Sequence, residues 1–235
     1  MVIDTHAHLD FHQFDEDRDE VIKRAIDAGV ERIVCCGCDT ESSKRCIDLA
    51  KQYDLIDATV GIHPSDADQW NDEVANNFVV QSALSEVVAI GEIGLDYYRM
   101  RHSEDMQKKA FREQLALAKE VGLPVIIHTR DSARDVYDLL IESGLERVTL
   151  HCFNESLEFA EKAWARGWKL GFGGTITYPK NEELRKVVAA APEGLFVLET
   201  DCPFLPPQSH RGERNEPAFI TEVAAVVSDI RRYQE

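Results

Sequence analysis

Residues 87–95 read Val-Val-Ala-Ile-Gly-Glu-Ile-Gly-Leu, and residues 124–129 read Pro-Val-Ile-Ile-His-Thr. Both stretches are short and apolar and contain several β-branched residues, as buried strands do. The segment between them carries apolar side chains at helical spacing, at Met106, Ala110, Leu117 and Val121. A strand, a helix and a second strand in this order predict two parallel strands joined by a helical crossover.

The same alternation runs through the whole chain. Eight β-rich runs are present, at residues 2–6, 32–38, 56–63, 87–95, 124–129, 147–153, 168–172 and 195–201. Helix-start residues precede the intervening segments, namely Thr40, Asp131 with Ser132, and residues 154–156. Eight such units, of about 29 residues each, predict an α/β protein with a (β/α)8 TIM barrel, regular or slightly distorted. A doubly wound open sheet is less favoured, because no glycine-rich phosphate loop follows the first run.

Composition limits the organisation and the partners of the chain. An apolar content of 44% with only 13 Gly and 8 Pro predicts one folded domain over residues 1–235. The 26 basic and 43 acidic residues leave a net charge of −17, which excludes a general basic face for a polyanion or an anionic membrane. With no targeting or membrane segment recognised, we expect a cytoplasmic protein that captures any nucleic acid locally. The sequence is compatible with a monomer and leaves the oligomeric state open.

Ligand-type side chains lie at the carboxyl ends of the predicted strands, where barrel enzymes place their chemistry. These residues are His6, His8, His63, Glu92, His128, His151 and Asp201. His6 and His8 are two positions apart and therefore face the same side of a strand. By contrast, Cys35, Cys36 and Cys38 cannot all face one ion from a strand, so we expect buried thiols there.

The number of these donors predicts a binuclear metal site. Four imidazoles and two carboxylates, with His63 set aside, are too many for one tetrahedral ion that keeps an open position. They suit two divalent ions that share a bridging carboxylate. Nitrogen-rich ligation favours zinc, manganese or iron over an all-oxygen magnesium cage, and it leaves the identity of the ion open.

Several segments carry a family resemblance in chain order. They are Asp4-Thr5-His6-Ala7-His8, Gly61-Ile62-His63-Pro64, Gly91-Glu92-Ile93-Gly94-Leu95-Asp96-Tyr97-Tyr98, His128-Thr129-Arg130-Asp131, His151-Cys152-Phe153, Glu199-Thr200-Asp201-Cys202-Pro203, and Arg211-Gly212 with Asn215-Glu216-Pro217. This pattern resembles the TatD family of metal-dependent deoxyribonucleases in the amidohydrolase superfamily. The resemblance implies a barrel, a divalent-metal hydrolase, and activity as a 3'-5' DNA exonuclease or a related phosphodiesterase.

The resemblance also implies roles for the candidate ligands. It gives His6, His8 and Asp201 to one ion, His128 and His151 to the second, and Glu92 to both as the bridge. Asp201 would orient or deprotonate the attacking water. The chain departs from the family pattern at residues 154–156, where Asn-Glu-Ser stands in place of a Ser-Gly turn.

Other residues near the strand ends have two interpretations each. His63 and Arg130 are candidate phosphate contacts, although Arg130 could instead pair with Asp131 or Asp96. Glu199 shares the side of its strand with Asp201, which fits either a partner for a metal-bound histidine or a buried ion pair.

Two tyrosines follow the fourth run. Tyr97 and Tyr98 could stack a nucleobase or could pack over the end of the barrel. Sequence alone does not choose between these interpretations.

Three classes of function are compatible with these residues. The first is a phosphodiesterase that acts on DNA or a short nucleic acid. The second is an ester or amide hydrolase, such as an aminoacyl-tRNA deacylase, because the same two-metal chemistry can attack a carbonyl. The third is a metal-stabilised binding protein without catalysis.

Overall fold

A computed structural model describes residues 2–232 of the chain. Its strands are β1 (Val2–Ala7), β2 (Val30–Cys35), β3 (Ile56–Val60), β4 (Val87–Asp96), β5 (Val125–Arg130), β6 (Val148–Leu150), β7 (Lys169–Phe172) and β8 (Phe196–Leu198). Its helices are α1 (Arg18–Asp27), α2 (Thr40–Gln52), α3 (Asp72–Gln81), α4 (Glu104–Val121), α5 (Ala133–Ser143), α6 (Leu157–Trp164), α7 (Glu182–Ala190) and α8 (Ile220–Arg232).

The strands belong to one eight-stranded sheet in the order β1 to β8, and one helix follows each strand. This order and alternation are those of a (β/α)8 barrel, so the predicted fold class is confirmed. None of the helices described is long and apolar enough to cross a membrane.

The chain divides into two compact units, residues 35–151 and residues 1–34 with 152–235. In the first unit, β3, β4, β5 and β6 pair in parallel, and β4 and β5 are in register from Gly94 opposite His128 to Asp96 opposite Arg130. Its core includes the buried side chains of Ile90, Ile93 and Phe111. The expectation of one domain over residues 1–235 stays a prediction.

In the second unit, β7 and β8 pair in parallel. An isolated parallel bridge joins Ala7 at the end of β1 to Cys202 beyond the end of β8. The side chains of Phe14, Trp168 and Phe172 are buried in its core. The carboxyl ends of β1 and β8 are therefore adjacent.

Four strands are shorter at their carboxyl ends than the sequence predicts. The runs at 32–38, 56–63, 147–153 and 195–201 become strands that end at Cys35, Val60, Leu150 and Leu198. Consequently His63, His151 and Asp201 lie in the loops just beyond strands rather than within them. The chain turns away from the sheet at these three places. Pro64 cannot donate a hydrogen bond to a neighbouring strand, and Cys152 and Asp201 have positive φ angles of 47° and 57°, which strands do not adopt.

Candidate metal centre

In the unit formed by residues 1–34 and 152–235, His6, His8 and Asp201 converge. The Nε2 atoms of His6 and His8 are 3.2 Å apart. Asp201 Oδ1 is 3.4 Å from His8 Nε2 and 3.8 Å from His6 Nε2. Both histidines are buried. Two imidazole nitrogens and a carboxylate oxygen within 4 Å of one another are a donor set that suits a divalent cation.

Backbone hydrogen bonds bring Asp201 to this position. The Asp201 amide donates to the carbonyl of His6 at 2.9 Å, and the His8 amide donates to the carbonyl of Cys202 at 2.8 Å. The positive φ of Asp201 turns the chain sharply just after β8. The bridge between the two strand ends therefore fixes the carboxylate beside both histidines.

Asp4 holds Thr200, the residue before Asp201, and sequence alone did not identify this role. Its buried carboxylate accepts hydrogen bonds from the Thr200 amide at 2.9 Å and from the Thr200 hydroxyl at 2.6 Å. Burial raises the pKa of Asp4 to about 7, although the hydrogen bonds from Thr200 oppose this. The amide of Asn215 also donates to the Thr200 carbonyl, at 2.8 Å. The signal was the spacing of Asp4, which is two positions from His6.

The buried side chain of Glu199 fixes the backbone at Cys152. Its Oε1 accepts a hydrogen bond from the amide of Cys152, the residue that follows His151. Gly171 leaves the space for this carboxylate, because a Cβ at Gly171 would collide with it. Gly171, which lies within β7, is thus a position where the backbone and a side chain approach closely.

In the unit formed by residues 35–151, three imidazoles face one carboxylate. Glu92 Oε1 is 2.7 Å from His128 Nδ1, 3.0 Å from His151 Nε2 and 3.7 Å from His63 Nε2. Glu92 is 3% exposed, so water contributes little to satisfying its charge. Cys38 lies at the edge of this group, with its Sγ atom 3.9 Å from Glu92 Oε2.

Asp96 orients His128 from the other side. His128 Nε2 lies 3.4 Å from Asp96 Oδ2, and Asp96 Oδ1 accepts a hydrogen bond from the Arg99 amide at 2.8 Å. Burial opposes the charged forms of both groups. Their mutual contact still lowers the pKa of Asp96 to about 2, and the contacts to Asp96 and Glu92 raise the pKa of His128. Asp96 is a second supporting carboxylate that sequence alone did not identify.

The tautomer of His63 follows from its hydrogen bonds. The amide of Ser65 donates to His63 Nδ1 at 3.0 Å, so Nδ1 carries no proton. In the neutral ring Nε2 then carries the hydrogen, and Nε2 is the atom that faces Glu92. His63 can therefore donate a hydrogen bond toward this group.

Arg130 and Tyr98 lie at the exposed edge of the same unit. The Arg130 guanidinium stacks over the Tyr98 ring, with its carbon 4.0 Å from the ring centroid. Among residues 2–232, Arg130 forms no ion pair, so the expected alternatives of a pair with Asp131 or Asp96 are not realised. Tyr97 is different, because it is half-buried and its hydroxyl donates to Asp135 at 2.8 Å.

The donor chemistry of both groups suits borderline divalent cations. Imidazole nitrogens and carboxylate oxygens are the ligands of zinc, manganese and iron sites. Acceptor atoms that face one another, such as an imidazole nitrogen and a carboxylate oxygen, repel each other unless a proton lies between them. A bound cation satisfies these atoms together, so the residues present fit a metal.

Comparison with known proteins identifies the family. The model of the family described as TatD related DNase matches residues 3–235. "Uncharacterized metal-dependent hydrolase YabD" of Bacillus subtilis is 43% identical, over 98% of this chain and 91% of its own. "3'-5' ssDNA/RNA exonuclease TatD" of Cronobacter sakazakii is 36% identical, over 98% of this chain and 90% of its own.

A solved structure agrees with these sequence matches. The crystal structure of YjjV, a TatD homologue from Escherichia coli, superposes with a TM-score of 0.91 at 36% identity and covers 98% of this chain and 90% of its own. The chain therefore belongs to the TatD-related DNase family, which confirms the predicted family and its class of activity, a metal-dependent hydrolase of phosphodiester bonds.

Proposed function

We propose that this protein removes nucleotides from the 3' end of single-stranded DNA or a short nucleic acid with two bound divalent cations. The observation that carries the proposal is the convergence of His63, His128 and His151 on Glu92, with nitrogen to oxygen distances of 2.7–3.7 Å. Family membership and the name of the exonuclease relatives support the choice of substrate. A cytoplasmic location stays a prediction.

Six side chains would hold the cations in this proposal. His6, His8 and Asp201 would bind one, and Glu92, His128 and His151 the other. The separate geometry of each group supports the assignment, since each brings nitrogen and oxygen donors within 4 Å. Bound divalent cations would supply Lewis acidity, which lowers the pKa of a water and offsets the charge of a phosphodiester.

The protein groups then have distinct tasks. Asp201 orients the attacking water and accepts its proton. The Nε2 hydrogen of His63 donates to a phosphate oxygen, and the Arg130 guanidinium pairs with the same or the next phosphate.

Three buried carboxylates act on the ligands rather than on the substrate. Asp96 holds the ring of His128, and Asp4 holds the Thr200 segment that presents Asp201. Glu199 fixes the Cys152 amide and thereby the chain just after His151. Supports of this kind restrict the orientation of ligands and tune their basicity.

Metal analysis and a substrate panel test the proposal together. The purified protein is analysed for bound metals and then assayed with added manganese or zinc on oligonucleotides labelled at the 3' or the 5' end and on aminoacyl esters. We expect early release of the 3' label and no ester hydrolysis. Ester hydrolysis alone would replace the proposal with the deacylase alternative, and no hydrolysis of any substrate would reduce the chain to a metal-stabilised binding protein.

A further inference from the structure

The guanidinium groups of most arginines in the described chain donate hydrogen bonds or form ion pairs, but four do neither. Among residues 2–232, Arg101, Arg130, Arg134 and Arg166 form no hydrogen bond or ion pair through their guanidinium groups, whereas Arg214, for example, is bonded to Asp17 at 2.7 Å. Three of the four lie on two neighbouring segments, the loop after β4 and the region from the end of β5 into α5. Three arginines without an ion pair therefore lie on neighbouring segments of an otherwise acidic protein.

The carboxylates nearest to these arginines take their hydrogen bonds from other groups. Asp135 accepts from Tyr97 at 2.8 Å and from Lys108 at 2.7 Å, and Asp96 contacts His128 and Arg99. Arg134, in the first turn of α5, donates no hydrogen bond to either carboxylate, although its charge contributes to lowering the pKa of Asp135. The guanidinium groups thus keep their hydrogen-bond donors available for an external acceptor.

An exposed aromatic ring stands among these arginines. Tyr98 is 65% exposed although the Arg130 guanidinium covers part of its ring. Met100, which follows in the same loop, is 46% exposed and adopts a positive φ of 44°. An exposed aromatic ring that a guanidinium holds in place offers a flat face on which a ligand can stack.

The register of the strands connects this surface to the catalytic groups. Arg130 lies opposite Asp96 and two residues beyond His128, which is about 6.6 Å along a strand. A chain whose terminal phosphate reaches His128 would therefore have its next nucleotide near Tyr98 and Arg130. Bases that are not paired stack on tyrosine rings and on guanidinium planes, and phosphates bind arginine in two-point contacts.

We propose that the Tyr98 ring, held by the Arg130 guanidinium, is a stacking platform for one unpaired base of a single-stranded oligonucleotide, and that Arg130, together with Arg101 and Arg134, contacts its phosphates. This proposal rests on the proposed function, because it specifies how the same site selects its substrate. A duplex end offers no free base face to Tyr98, so the platform makes the enzyme selective for single strands.

Two oligonucleotides that differ only in their bases test the platform. The probes are fluorescein-labelled hexathymidylate and an abasic strand of the same length, both phosphorothioate-linked so that the metal-loaded protein does not consume them. Affinity is measured by fluorescence anisotropy at several salt concentrations. Thermal melting confirms that every variant is folded.

Tyr98→Ala should weaken binding of hexathymidylate about five- to hundredfold and leave binding of the abasic strand unchanged. Tyr98→Phe should bind like the wild type, because stacking needs the ring and not the hydroxyl. Arg130→Ala should weaken both probes and reduce the slope of log affinity against log salt by about 0.7. Arg166→Ala, which removes an unpaired arginine elsewhere, is the matched control and should change neither value.

The platform is overturned if Tyr98→Ala binds hexathymidylate as tightly as the wild type, or if it loses both probes equally. It is also overturned if the wild type binds neither probe. Hydrolysis of unmodified hexathymidylate is followed in parallel. Base-dependent binding without hydrolysis would support the platform and refute the proposed function. Hydrolysis by the wild type, with Tyr98→Ala binding hexathymidylate as tightly as the wild type, would support the proposed function and refute the platform.

Discussion

Gly94 shows how closely the backbone approaches a candidate ligand. It lies opposite His128 with a φ of 147°, and a Cβ at this position would overlap the His128 carbonyl. A side chain would therefore displace β5 from β4 exactly where His128 is presented, in addition to the strain of an unfavourable φ.

We accordingly expect Gly94→Ala to lower the free energy of unfolding by about 3 kcal/mol or more and to reduce hydrolysis sharply. Gly194→Ala is the matched control, because Gly194 also has a positive φ, of 78°, but no atom lies within 4 Å of its added Cβ. It should cost about 1 kcal/mol and keep full activity. Urea unfolding and an oligonucleotide assay measure both effects, and equal effects of the two substitutions would refute this role of Gly94.

Asp201 is the residue with the most direct chemical task. Replacing it with Asn keeps the size of the side chain but removes the charge and the proton acceptor. We expect Asp201→Asn to reduce kcat at least a hundredfold and to leave the circular dichroism spectrum unchanged. Undiminished metal-dependent hydrolysis by this variant would end the assignment of Asp201.

The candidate ligands could be predicted from sequence, but their supports could not. His6, His8, Glu92, His128 and Asp201 are identifiable because each residue is chemically distinctive and occurs within an apolar run or near its carboxyl end. The contact of Asp4 with Thr200, in contrast, joins positions 196 residues apart, and only the folded chain reveals it. The same holds for Asp96, whose contact to His128 depends on the register between two strands.

At the scale of elements, helix starts were predicted to within a residue or two. The Asp39 side chain caps α2 by accepting from the Ser42 amide at 2.7 Å, one residue before the expected Thr40. Ser156 caps α6 by accepting from Phe159. Strand ends were less predictable, because β-rich sequence continues through His63, His151 and Asp201 after the ladder has ended.

Ser132 was expected to begin α5 and has a different role. Its hydroxyl donates to the Leu95 carbonyl at 2.8 Å and accepts from the Arg130 amide at 3.2 Å, and it forms no cap. We expect Ser132→Ala to cost about 1–3 kcal/mol of stability, because buried polar groups lose their partner, and to weaken oligonucleotide binding through Arg130.

Ser156→Ala provides the comparison, since it removes a true cap. It should cost about 1 kcal/mol and leave oligonucleotide binding unchanged. Thermal melting and fluorescence anisotropy together distinguish the two serines. If Ser132→Ala bound oligonucleotides as the wild type does, the proposed link from Ser132 to Arg130 would be wrong.

At the scale of the whole molecule, the fold was predictable because the chain repeats one simple pattern. Eight apolar runs separated by amphipathic segments predict the strand order without knowledge of any contact. The division into the units 35–151 and 1–34 with 152–235 was not predicted, because no change of composition marks residues 34 or 152.

The net charge of −17 leads to a prediction about substrates. Like charges slow the approach of a long duplex where screening is weak, whereas a short single strand needs only the local arginines. We expect single strands to be hydrolysed faster than duplexes with identical 3' ends, and the difference to be largest at low salt. Initial rates on end-matched substrates over a range of salt measure this, and faster hydrolysis of duplex would contradict it.

Metal stoichiometry shows whether these histidines and carboxylates hold a pair of divalent cations. Dialysed wild-type protein, Glu92→Gln and His128→Ala are analysed by inductively coupled plasma mass spectrometry after incubation with manganese or zinc. We predict close to two ions per wild-type chain and at most one in either variant. Wild-type protein that retains no ion, or variants that retain as many as the wild type, would contradict the account.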